Sequence, residues 1–137
     1  MSLSKILTDY VAAASRASLF STDNILMGYD NPFNTARTAT YPAIVIKPPE
    51  SKIKIVGQSY TTEVSVSIAD YQGTATERAT WEALETRATT FVRNWELYGT
   101  YSRPSGDVTV TPLALGVAVD GVHGVLLRFN VTIDCAV

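Results

Sequence analysis

His123 is the one histidine in the chain, and it sits in Asp120-Gly-Val-His-Gly124. An imidazole steered by a carboxylate is the usual starting point for general-base chemistry, which here would mean Asp120 orienting His123. Such a base also needs a nucleophile and donors for a developing oxyanion, and no Gly-x-Ser-x-Gly turn supplies them. The spacing fits a polar residue in a hairpin turn between two glycines. Cys135 is the one cysteine. It falls on the apolar face of a predicted strand and reads as a small buried hydrophobe rather than a reactive thiolate.

Other chemistries find less support. One His and one Cys cannot make a nitrogen/sulfur zinc site without carboxylates. The acidic residues are scattered, and no Asp-x-Asp loop suggests calcium. Gly116, Gly121 and Gly124 do not fit Gly-x-Gly-x-x-Gly, and no Walker lysine follows a glycine-rich stretch. The expectation is a protein that is not an enzyme, with no catalytic residue, cofactor or metal.

Composition agrees with assembly rather than catalysis. A chain of 137 residues fits one domain. It is 46% hydrophobic, enough for a core, and 18% charged, against a usual share of about 25%. Much of its surface is therefore Thr, Ser, Ala and Tyr, which is readily buried against a partner. Eleven basic and thirteen acidic residues give a net charge of -2, spread over both halves. No basic patch for sequence-independent nucleic-acid binding is visible. A single cysteine excludes an internal disulfide and suits a reducing cytoplasm. The N-terminal Met-Ser-Leu-Ser-Lys is too polar for a signal peptide, and no apolar run reaches the ~20 residues of a membrane helix. Asn130-Val-Thr132 matches a glycosylation sequon, but it lies within a predicted strand and reads as chance.

Periodicity defines the elements. Leu3, Ile6, Leu7, Tyr10, Val11, Ala14 and Ala17 recur at helical spacing, predicting a helix over 4–18 with Lys5, Thr8, Asp9, Ser15 and Arg16 on its polar back. Residues 25–27 could be a short strand, and 28–40 read as a long exposed loop dense in turn formers. Ala43-Ile-Val-Ile46 reads as a buried strand. Lys52-Ile-Lys-Ile-Val56 alternates, and the two segments suggest a hairpin over 43–56. The next strand covers 60–69, with Val64, Val66 and Ile68 facing the core. That alternation suits a sheet covered on one face.

A second helix is predicted over 74–98. Thr74-x-x-Glu77 offers a capping box, and Trp81, Leu84, Ala88, Phe91 and Trp95 form one stripe opposite Glu82, Glu85, Arg93 and Glu96. The stripe spans only two heptads, so it reads as a helix on a sheet rather than a coiled coil. The remainder, 107–135, is β: a short strand at 107–111, another at 113–119, and a last strand whose apolar face is Val125, Leu127, Phe129, Val131, Ile133 and Cys135. The fold class is α+β, a mostly antiparallel sheet with two helices packed on it.

Tyr29 and Phe33 stand among small polar residues in the long loop. Exposed aromatics in that setting anchor interfaces, although they could equally fold back over the domain's own core. With Arg37, and with Lys52 and Lys54 of the hairpin, they are the candidate contacts to another subunit or partner.

The wording Tyr41-Pro-Ala-Ile-Val-Ile46, Tyr60-Thr-Thr-Glu-Val-Ser-Val-Ser-Ile68, the amphipathic helix and Arg128-Phe-Asn-Val-Thr-Ile133 resembles the tail terminator and minor tail (tail-completion) proteins of long-tailed bacteriophages. The resemblance is one of pattern and covers roughly residues 1–135. It implies a homo-oligomeric, six-fold ring at the end of the tail tube, stopping tube growth and joining tail to head or neck. The implied partners are further copies of the chain, the tail tube protein and a head-completion or neck protein. No membrane and no specific nucleic acid are implied, although the genome would pass through the ring lumen. The implied location is the virion, after synthesis in the host cytoplasm. Competing readings are another neck, connector or tube subunit, a small non-viral binding module, and a small hydrolase using His123.

Overall fold

The computed structural model describes residues 2–28, 41–50, 59–113 and 121–134. The first helix, α1, spans Ser2–Ser15 and passes into a 3-10 turn over Arg16–Ser18. Ala17 stops it, with φ at 54°, in the left-handed region where an L-residue is strained. The Phe20 N–H then donates back to the Ala14 carbonyl at 3.0 Å, giving a donor to one of the carbonyls left over at the helix end.

Three short elements follow: a 3-10 turn at Thr22–Asn24, β1 at Ile25–Met27 and β2 at Ala43–Lys47. After them come β3 (Ser59–Tyr71), α2 (Glu77–Tyr98), β4 (Ser102–Leu113) and β5 (Val122–Asp134). The strands form one sheet in the order β1-β2-β3-β5-β4. Only the β1–β2 pair is parallel. The expected fold class, an α+β domain with two helices on a mostly antiparallel sheet, is the observed one.

One side of the sheet carries the core. Ile44, Ile46, Val64, Val66, Ile68, Leu127, Val131 and Ile133 are fully buried there, with Ile6 and Tyr10 of α1 and Leu84, Phe91 and Trp95 of α2. Aromatic edges lock the layers: Tyr10 meets Phe91 at 6.0 Å, and Trp95 meets Phe91 at 5.8 Å and Phe129 at 5.6 Å. Burial pushes the ionisation of the Tyr10 phenol well up. It stays a neutral donor, bonding the Leu26 carbonyl at 2.7 Å and the Ile44 carbonyl at 3.2 Å. In this way α1 holds β1 and β2 together.

Several boundaries differ from expectation. The N-cap of α2 is Thr76, whose hydroxyl accepts from Ala79 N at 3.1 Å, so the capping box at Thr74 does not form. Gly73, at φ 57°, and the Ala75 N–H to Gln72 carbonyl bond at 2.9 Å keep the chain turning for two residues more. Thr76→Ala should therefore cost about 0.5–2 kcal/mol in urea unfolding, and Thr74→Ala almost nothing. Equal effects from the two would return the cap to Thr74.

The buried stripe of α2 begins at Thr80, while Trp81 is half-buried at its margin. Strand β4 starts at Ser102 and runs through Pro104 and Pro112, with a register shift between Ser105 and Thr109. It is an edge strand, where a proline can turn its missing N–H outward. Strand β2 pairs with Ile25–Met27 on one side and Ser65–Ala69 on the other; the 52–56 arm of the expected hairpin lies outside the described residues. Residues 51–58 and 114–120 lie outside the described residues, as do 29–40 of the expected loop.

Candidate functional site

Tyr29, Phe33, Arg37, Lys52 and Lys54 all lie outside the described residues, as do Asp120 and Cys135.

His123 is placed in β5 rather than in a turn, opposite Asp70 of β3. Its Nε2 lies 2.7 Å from Gln72 Oε1, and the amide oxygen can only accept, so Nε2 carries the proton. The ring also leans on Trp81 at 5.1 Å. Neighbouring Asp70 faces Arg87, with Nε 3.9 Å from Oδ2. Arg87 also donates from Nη1 to the Leu19 carbonyl at 2.7 Å, with its guanidinium over Phe20. These contacts tie the end of the β3–β5 ladder to α2 and to the turn after α1. Neither the amide nor the indole on His123 is a nucleophile. Among the described residues no group of three His, Cys, Asp or Glu side chains could hold a metal, and no helix is long and apolar enough to cross a membrane.

Asp9 was expected on the solvent side of α1 and is instead 1% exposed. Its carboxylate accepts from the backbone N–H groups of Thr100 (2.8 Å), Tyr101 (2.9 Å) and Ser102 (2.7 Å), and from Ser102 Oγ at 2.7 Å. The same hydroxyl accepts from Trp95 Nε1 at 3.0 Å. A buried anion persists only when its lone pairs are met, and four donors meet them here. Gly99 makes the approach possible, since a Cβ there would stand 2.5 Å from the Ser102 carbonyl oxygen. The clasp fixes the turn from α2 into β4. Helical periodicity alone could not reveal it, because the donors lie some ninety residues away.

Among the described residues two unlike surfaces are exposed. The first is a cleft of about 360 Å³ between α2 and β4, walled by Val92, Val108 and Val110 and rimmed by Glu85, Arg93 and Glu96. Val110 is 50% exposed in it. Along the outer side of α2, Glu77, Glu82, Glu85 and Glu96 outnumber Arg78 and Arg93, and all six are exposed. The second surface is the side of the sheet away from the helices. Register aligns Lys47, Ser65, Arg128 and Thr109 in one row across four strands. Glu63, Asn130 and Ser105 make the next row, and Thr61, Thr132 and Arg103 the one after. Lys47, Glu63, Arg103 and Arg128 are exposed. Toward the other end this side becomes apolar, with Ala43, Val45, Ala69 and Val122 buried.

Fold and surfaces together define an α+β domain with helices on one side of its sheet and a largely hydroxylated second side. No protein-family model matches the chain, and no curated protein matches its sequence.

Proposed function

We propose that this chain is a structural subunit of a bacteriophage tail, a tail-terminator-like protein that closes into a homo-oligomeric ring on the tail tube and joins tail to head or neck. The observation that carries the reading is the agreement between the architecture implied by the sequence resemblance and the architecture of the domain. A single sheet takes two helices on one side and exposes a charged and hydroxylated region on the other. A second feature supports it. Head-to-tail rings need two different complementary patches on each subunit, and the acidic α2 side and the hydroxylated sheet side are such a pair. Residues 28–40 and the Lys52–Lys54 segment are proposed to add contacts to a neighbouring subunit, the tail tube protein or the neck protein.

The test is electron microscopy and native mass of the purified chain, alone and mixed with tail tube subunits. A six-fold ring seated coaxially on the tube end is the expected result. A chain that stays monomeric with every tail and neck partner, or that occurs in the virion as an isolated two-fold dimer, overturns the reading.

A further inference from the structure

We infer that the cleft between α2 and β4 of one copy receives the open sheet side of the next copy, with Arg103 and Arg128 of the incoming sheet meeting Glu85 and Glu96. The inference rests on the ring reading for its stoichiometry but not for the pairing of faces. Its basis is a separation of charge. Among described side chains, the outer side of α2 holds four carboxylates against two guanidiniums, while the open sheet side holds Lys47, Arg103 and Arg128 against Glu63, with Asp107 exposed in the irregular stretch of β4 beside them. An acidic chain thus carries one side of each sign, back to back. Such an arrangement steers copies into head-to-tail contact and disfavours like-to-like contact.

The chemistry of the two faces also fits. Arginine carries an aliphatic stem beneath a planar guanidinium. Stems laid over Val92 and Val110 would cover the apolar walls and deliver the guanidiniums to the carboxylates on the rim. Arg93 stands on the same rim and opposes the incoming charge, so the contact relies on Glu85 and Glu96 together. Among the described residues Arg103, Arg128, Glu85 and Glu96 form no ion pair within the subunit, and all four are free for a neighbour. The row geometry helps again. Arg128 and Arg103 lie on adjacent strands, two rows apart, so they present two separated charges rather than one. The occupant is therefore a second copy, because this chain itself presents the complementary surface.

A charge-swap experiment tests the pairing. One variant carries Arg103→Glu with Arg128→Glu, and the other Glu85→Lys with Glu96→Lys. All four positions are exposed, and far-UV circular dichroism with thermal melts would verify that both variants fold. At low ionic strength each variant alone should associate about tenfold or more weakly than the parent, and an equimolar mixture should recover the parent's association by sedimentation velocity. Salt at ~1 M, where the screening length is ~3 Å, should weaken the parent and the mixture alike. Variants that assemble as well as the parent, or a mixture that fails to recover, overturn the pairing. A parent that stays monomeric at low salt overturns it as a self-contact and leaves the ring reading to the tail tube experiment. Recovery that stops at a two-fold dimer upholds the pairing and counts against the ring.

Discussion

Asp9→Ala should destabilise the domain by about 3–5 kcal/mol, from leaving three backbone N–H groups and a serine hydroxyl without their acceptor. The sum stays below four full penalties because Thr100 and Tyr101 can recover water at the partly open rim of the clasp. Ser102 cannot, being 2% exposed. Asp9→Asn tests the same point more finely. The amide keeps the shape but offers one accepting oxygen, and its NH₂ must face donors. It should retain part of the loss, at about 2–4 kcal/mol. Urea unfolding of both variants decides. A change under about 0.5 kcal/mol for the alanine variant, the range of an ordinary surface substitution, would show that the turn into β4 holds without its carboxylate.

Trp95→Ala is the second large effect expected, at about 3–5 kcal/mol. Trp95 is fully buried and touches both Phe91 of its own helix and Phe129 of the sheet. Its removal opens a cavity where α2 meets β5. The indole N–H also donates to Ser102 Oγ, which passes a hydrogen bond on to Asp9. Trp95 and Asp9 are therefore coupled through one hydroxyl. The double variant should cost less than the sum of the two single ones, since groups in one network are not additive. A loss below about 1 kcal/mol in urea unfolding of Trp95→Ala would mean that the aromatic stripe does not hold helix to sheet. Strict additivity would mean that Ser102 does not link the two residues.

The elements that announced themselves in sequence were those whose burial follows a fixed local period. Val64, Val66 and Ile68 alternate, as do Leu127, Phe129, Val131 and Ile133, and each set is buried as a strand face requires. Leu84, Ala88, Phe91 and Trp95 recur at helical spacing, and they too are buried. What was illegible depends on partners remote in sequence or on position within the sheet. A carboxylate on a helix back reads as solvated unless a distant turn supplies donors, and for Asp9 one does. The strand expected at 107–111 in fact starts at Ser102 and runs through Pro104, Gly106 and Pro112, which an edge strand tolerates. Thr74 and Thr76 compete for one cap, and only the turn after Gly73 separates them. His123 read as a turn residue because glycines flank it, whereas the ladder with β3 extends past it to Val122. The open surfaces were hidden for another reason. The row of Lys47, Ser65, Arg128 and Thr109 joins four strands, and no linear window contains it.

The strand order also bears on how the polypeptide is made. β5 lies between β3 and β4 and pairs with both. Its partners on β3 run from Val122 against Tyr71 to Asp134 against Ser59, so the central ladder joins segments far apart in the chain. Translation at about 5–20 residues per second leaves β3 waiting on the order of several seconds before its main partner leaves the ribosome. Among the described strands β4 pairs with β5 alone, so once made it waits for β5 to follow. The nascent chain can form α2 and the short β2–β3 ladder early, but the core stays open until β5 arrives. Such late closure exposes Val64, Val66 and Ile68 to other chains. A message cut short before Val122 would then yield an aggregating or degraded polypeptide rather than a weakened domain.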